Sequence, residues 1–346
     1  MDEDSFEPPC FDAANVASCL ELFPQEGEVL PVEIAQASSV GVDAHFAKLG
    51  GWAALAELPV GQAPRVVLAD VGSRATILEV DVMHPDGTLD ILAVWGEREI
   101  YVIDALQSVA VALGCTDAGC ELLSAASGDE TLEVVPGYAL DPAARVDHLA
   151  GGWGKLCAYG EGLFCLDGAT WTNAIPAEVS GRIVSVSLGY PSVAVTAQGE
   201  LFIEAETGDW VLKPSPIESG ARVEASDGTV SLVDDGGAWT ILSLDPPATA
   251  SCQQTPRLVT ANPGSSRFGI PWLVADEDAS VFRQRQTYEA PNQPRAELTW
   301  CRVSNAAPAS AVIDVDAIRC ADGTNLLGIT SGQFFSLNGA IACPLT

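Results

Sequence analysis

After the first thirty residues the chain shows little helical periodicity. Short apolar or alternating runs recur instead, separated by clusters of Gly, Asp, Asn and Pro, which is the pattern of strands joined by tight turns. A more specific unit repeats within it: a small polar turn, an apolar or aromatic strand, a Gly-containing turn, and a Trp that opens a final strand ending near Pro. The clearest copy runs from Tyr159 through Gly160-Glu161-Gly162-Leu163-Phe164-Cys165-Leu166-Asp167-Gly168 to Trp171 and Pro176. A second runs Gln198-Gly199-Glu200-Leu201-Phe202-Ile203 to Trp210 and Pro214, and a third Asp227-Gly228-Thr229-Val230-Ser231-Leu232-Val233 to Trp239 and Pro246.

Fainter copies lie around Phe46, Tyr101, Phe282 and Phe335, giving seven anchors in all with Phe164, Phe202 and Ser231. Their separations run from 29 to 63 residues, centred on the roughly 40 to 50 of one four-stranded propeller blade. The spacing predicts an all-β protein, a β-propeller of seven blades, with six or eight as the alternative counts. An eighth copy would fall near Asp129-Glu130-Thr131-Leu132-Glu133-Val134-Val135. Radial repetition leaves short, protected sheet edges, whereas one long flat sheet would invite aggregation. The repeat resembles β-propellers in general, and the turn Asp234-Asp235-Gly236-Gly237-Ala238-Trp239 resembles the Asp-box of sialidase-like propellers. The resemblance implies the fold and carries over no catalytic residue.

Residues 1–30 lie outside the repeat and read as a short, acidic, disulfide-looped extension ahead of a propeller domain at 31–346. The stretch from Leu244 to Pro271, rich in Pro, Ser and Thr, reads as a long insertion.

With 48% apolar and only 18% charged residues, the chain has the composition of a folded protein. No run reaches the roughly 18 to 20 apolar residues of a membrane helix, so no membrane span is expected. The opening Met1-Asp2-Glu3-Asp4-Ser5-Phe6-Glu7 lacks the basic and apolar regions of a secretory signal. Ten cysteines nevertheless favour an oxidising compartment, so the chain reads as a mature form that is secreted, periplasmic or on the cell surface. No Cys-x-x-Cys pair exists and only three histidines are present, which argues against a zinc site and for disulfides. Close spacing suggests Cys10 with Cys19, Cys115 with Cys120, and Cys157 with Cys165, leaving Cys252 to Cys301 and Cys320 to Cys343. The same cysteines permit many other pairings.

Acidic residues outnumber basic ones 47 to 16, a net charge of −31. That excludes a nucleic-acid partner, which needs clustered Lys and Arg, and favours a basic partner or a cation. In a propeller the turns joining second and third strands share one face. On that basis Glu97, Asp129, Glu161, Glu200, Asp227, Asp276 and Asp278 are expected to form a carboxylate ring, suited to a basic protein segment or to calcium. Composition alone produces acidic turns as well.

Motifs of catalysis are absent: no His-Glu-x-x-His, no phosphate-binding loop, no Gly-x-Ser-x-Gly. His148 is the one histidine placed on an inner-strand candidate. Trp171, Trp210 and Trp239 recur at one point of the repeat and are expected to pack between blades. Trp95 and Trp153, outside that position and beside glycines, are the candidates for ligand contact.

These observations favour a non-catalytic binding or scaffold protein that presents an acidic propeller face to a protein or glycan. The alternatives are a carbohydrate-active hydrolase or lyase with a carboxylate pair in the central pocket, and a structural subunit of an extracellular assembly.

Overall fold

The computed structural model describes residues 10–11, 16–18, 30–31, 52–57, 65–70, 76–82, 90–100, 108–116, 119–126, 131–152, 154–175, 181–244, 247–252, 257–263, 272–277, 281–287, 297–302, 312–320, 323–330 and 333–336. These residues are almost entirely strand and turn, as the alternation of apolar runs and Gly/Asp clusters dictates.

Two short strands come first, β1 (Val16–Ser18) and β2 (Leu30–Pro31). Next are β3 (Trp52–Glu57), β4 (Arg65–Asp70), β5 (Thr76–Val82), β6 (Asp90–Ile100), β7 (Ser108–Thr116), β8 (Gly119–Ala126) and β9 (Thr131–Val134), which join in one seven-stranded sheet. Three antiparallel four-stranded sheets follow. The first holds β10 (Val146–Gly152), β11 (Lys155–Gly160), β12 (Leu163–Asp167) and β13 (Thr170–Asn173). The second holds β14 (Ile183–Ser187), β15 (Val193–Thr196), β16 (Leu201–Glu204) and β17 (Trp210–Lys213). The third holds β18 (Arg222–Ser226), β19 (Thr229–Val233), β20 (Trp239–Leu244) and β21 (Pro247–Cys252). A further sheet contains β22 (Leu258–Asn262), β23 (Leu273–Asp276), β24 (Val281–Thr287) and β25 (Glu297–Arg302), with β1 added parallel to β25. The last contains β26 (Val312–Cys320), β27 (Gly323–Thr330) and β28 (Gln333–Ser336), with β2 antiparallel to β28.

Burial falls from the first strand of a sheet to its last. β14, β15 and β16 are largely buried on both faces, whereas β17 is exposed after Trp210; β13 and β21 are likewise mostly wet. A strand buried on both faces is covered by a neighbouring sheet on each side, which explains near-continuous apolar stretches such as Val193–Val195. The core is accordingly a series of layers between consecutive sheets. Tyr159, Leu163, Ile183, Ala194 and Phe202 fill the layer between the β10–β13 and β14–β17 sheets. Val193, Val195, Val223, Val230 and Leu232 fill the next. Trp239, Ala261, Val274, Phe282 and Trp300 fill the one after, joined by Phe11 from the N-terminal segment. First strands also meet across sheets, β6 with β10, β10 with β14, β14 with β18, β18 with β22 and β22 with β26.

The N-terminal segment is fastened to these layers rather than looped on itself. Cys10 bonds to Cys252 at the end of β21, 242 residues away, which corrects the local pairing with Cys19 and the pairing of Cys252 with Cys301 expected from spacing. Phe11 sits 4.6 Å from Phe282 and edge-on to Trp300 at 5.5 Å, and the Trp300 indole N–H donates to the Cys10 carbonyl. The bond between Cys157 and Cys165 joins opposed residues of β11 and β12. Cys120 is also oxidised, whereas Cys19, Cys320 and Cys343 lie among or beside residues whose side chains are outside the described set.

The rim of turns and the seam between first strands

Three of the expected carboxylates sit near turns between second and third strands: Glu161 between β11 and β12, Glu200 between β15 and β16, and Asp276 at the end of β23. Glu161 is exposed, Glu200 is half-buried and accepts from the Thr196 hydroxyl, and Asp276 is buried. Two expectations need correction. Asp227 lies in the turn between β18 and β19, at the opposite end of its sheet; the turn that matches Glu161 and Glu200 is Asp234–Ala238. Glu97 lies within β6 rather than in a turn, since that strand continues to Ile100. Asp129, Trp153 and Asp278 lie outside the described residues, as do the side chains of Trp95 and Glu97.

Each of these turns is built the same way. The Glu161 N–H donates to the Arg145 carbonyl, the Ala197 N–H to the Arg182 carbonyl and the Glu277 N–H to the Arg257 carbonyl, so the turn is tied to the residue just before its sheet's first strand. Arginine occupies that place in all three, and two of the arginine side chains hold a turn as well. Arg145 pairs with Glu161 at 3.3 Å, and the Arg257 guanidinium donates to the Gly236 and Asp235 carbonyls of the neighbouring sheet's turn. In Asp234–Ala238 the Asp234 carboxylate accepts the Ala238 N–H at 2.8 Å, while Gly237 takes a φ of 77° that disfavours any side chain. A Cβ on Gly237 would also stand 2.6 Å from the Arg257 Cβ. The rim therefore carries arginines among its carboxylates, rather than an unbroken ring of acids. Among the described residues no three His, Cys, Asp or Glu side chains converge.

These arginines are the signal that a reading of turns alone overlooks. Each precedes an aliphatic residue that opens a first strand: Arg145-Val146, Arg182-Ile183 and Arg257-Leu258, with Arg222-Val223 as a near copy.

His148 stands on β10, where its ring stacks on Tyr159 of β11 at 5.0 Å. The Arg182 guanidinium donates toward its Nε2 at 3.4 Å. Burial first, and the Arg182 charge second, push its pKa down to about 4, so the ring is neutral near pH 7.

Polar side chains join adjacent first strands. Ser185 Oγ accepts the Val223 N–H at 3.1 Å and donates to the Val223 carbonyl, so β14 satisfies the backbone of β18. One pleat further, Ser187 Oγ accepts the Ala225 N–H at 3.2 Å and donates to Glu224, which also pairs with Arg222 at 3.3 Å. All four groups are buried or nearly so, and pairing is what allows them to be.

No family model and no curated protein matches this chain. Solved structures do. YCF48 bound to D1 peptide superposes with a TM-score of 0.58 at 13% identity, covering 92% of this chain and 97% of the other. The structure of BBS1N in complex with ARL6DN gives 0.56 at 11% identity, covering 92% and 100%. Chaetomium thermophilum Raptor gives 0.55 at 13% identity over 96% of this chain, which spans only 30% of Raptor's length. At such identities the likeness shows the fold: the chain is a β-propeller, built from radially packed antiparallel sheets of about four strands.

Proposed function

We propose that this protein is a non-catalytic binding scaffold that works outside the cytoplasm and docks a protein partner on the rim formed by the turns between second and third strands. The observation that carries the reading is the repeated construction of that rim. In three sheets, turns bearing Glu161, Glu200 and Glu277 are tied by backbone bonds to the residue preceding a first strand, and the Asp235 turn is held by the Arg257 guanidinium, so charged groups are held in fixed positions at one end. Preorganised groups of this kind lose little entropy on docking. Two similar structures are complexes, one of YCF48 with a D1 peptide and one of BBS1N with ARL6DN, which favours protein over glycan as the partner class. Disulfides such as Cys10–Cys252 and Cys157–Cys165 support an oxidising location.

Seven blades is the count this reading adopts. The seven-stranded sheet supplies two, β3 to β5 and β6 to β9; the three four-stranded sheets and the β22–β25 sheet supply four; β26 to β28 completed by β2 supplies the last. The test is photo-cross-linking from the rim. With a cross-linker at position 161, 200 or 277, material from the protein's native extracellular fraction should yield one recurring protein adduct. Linkers at 168 and 227, on the opposite end, should not. Equal capture at both ends would count against the rim.

A further inference from the structure

The outer strands of three consecutive sheets differ in one respect. Thr172 of β13, Val211 of β17 and Ala250 of β21 stand opposite Cys165, Ile203 and Ile241 of the third strands. One place along, Asn173, Leu212 and Ser251 stand opposite Phe164, Phe202 and Thr240. Two sheets thus place polar or small residues at their wet edge, and the middle sheet places valine and leucine. Both are exposed, Val211 by 39% and Leu212 by 55%. Successive residues of a strand point to opposite faces, so this edge is apolar on both sides.

The backbone there is also available. The Ala205 N–H donates to the Asp209 carbonyl at 2.8 Å, which fixes the alternation of hydrogen-bonded pairs along the hairpin. Val211 and Lys213 therefore exchange bonds with Ile203 and Leu201, while Trp210 and Leu212 turn their N–H and C=O groups away from β16. β17 ends its sheet, and among the described residues no strand lies beyond it. A hollow of about 810 Å³ reaches Asp209 and Trp210 at its start, bounded across the gap by Asp167 and Asn173. A second, of about 410 Å³, reaches Leu212 and Lys213 at its end, beside Glu200. Elsewhere the same fold shows what such an edge accepts, since Val16–Ser18 lies on β25 as an added parallel strand.

We propose that the β17 edge is a docking strip for an extended segment of a partner protein, with two successive aliphatic residues flanked by basic ones, which pairs as a fifth strand. The aliphatic positions meet Val211, Leu212 and the two hollows. The basic positions are called for by the exposed carboxylates of Asp167, Glu206, Asp209 and Glu218 around the strip, against Lys213, while Lys155 is engaged by Glu204. A second copy of the chain is a poor occupant, because two bodies of net charge −31 repel. This strip is on the side wall and does not depend on the rim.

The probe is a capped, fluorescent peptide with two successive valines flanked by lysines, compared with the same peptide N-methylated at alternate residues and with its counterpart carrying glutamate for lysine, by anisotropy at roughly physiological ionic strength. The parent peptide binds, and each control binds at least about tenfold more weakly. Leu212→Pro removes the outward N–H while leaving the β16 ladder, and Leu212→Lys removes the apolar contact while keeping that N–H. Each lowers affinity about tenfold or more, and Ser251→Pro at the matching place of β21 leaves it unchanged. Circular dichroism checks the fold of each variant, and Leu212→Lys carries the test should the proline variant not fold. Equal binding of the N-methylated peptide, indifference to both Leu212 variants, or self-association abolished by Leu212→Lys would overturn the proposal.

Discussion

Removing the bond between Cys10 and Cys252 is the most informative perturbation of stability. Its sequence separation is 242, against 8 for Cys157–Cys165. A cross-link restricts the unfolded chain by an amount that grows with the logarithm of the loop it closes. In that account the long loop is worth about 5.5 kcal/mol at 25 °C and the short one about 2.6 kcal/mol. The native side of the balance reinforces the difference, because Phe11 is buried beside the bond against Phe282 and Trp300. The double variants Cys10→Ser/Cys252→Ser and Cys157→Ser/Cys165→Ser should be compared in guanidinium without reductant, followed by tryptophan fluorescence. Trp300 reports directly, since its indole N–H donates to the Cys10 carbonyl at 3.1 Å. The first variant should lose about twice the stability of the second. Equal losses, or a larger loss for the short loop, would refute the idea that the N-terminal segment fastens distant sheets together.

Two further outcomes are expected. The folded-state pKa of His148 lies below its unfolded value of 6.5, so the unfolded chain takes up the proton first as pH falls. Stability contributed by the neutral ring is complete above about 6.5 and lost toward about 4. The loss is about 1–2 kcal/mol after allowing for the ring's partial exposure. Thermal melts from pH 7 to 4 should show it, and His148→Gln should flatten the profile; an unchanged profile would assign the acid sensitivity to other groups. Ser185→Ala leaves the Val223 N–H, in a fully buried residue, without its Oγ acceptor and should cost about 1–3 kcal/mol in denaturant titration. A neutral result would mean that the seam between β14 and β18 is not held by this pair.

The strand-and-turn grammar was legible because it is local, but the three Trp do not share one place in the repeat: Trp171 and Trp210 stand on fourth strands and Trp239 on a third. Trp210 opens β17 and Trp239 opens β20, and both are buried. Part of the irregular spacing came from mixing strands: Phe164, Phe202 and Phe282 lie on third strands, whereas Ser231 lies on a second strand. Measured between the starts of third strands, at Leu163, Leu201, Trp239 and Val281, the repeat is 38, 38 and 42 residues. The same shift put Asp227 on the wrong end. Small residues in the third sheet hid it, because Thr240 stands where the other sheets have Phe164 and Phe202. The Cys10–Cys252 bond could not be read locally, since it depends on a chain segment crossing from the N-terminus to the edges of much later sheets. Nor could the pairing of Arg145 with Glu161, because the two are brought together by a backbone tie and not by adjacency.

The architecture proposed above is one closed ring of seven sheets, completed by the N-terminal segment. A crystal structure of the oxidised protein tests it most directly. It should show seven radially arranged sheets with Leu30–Pro31 as the outermost strand beside Gln333–Ser336. An open array, another number of sheets, or an N-terminal segment detached from the last sheet would contradict it.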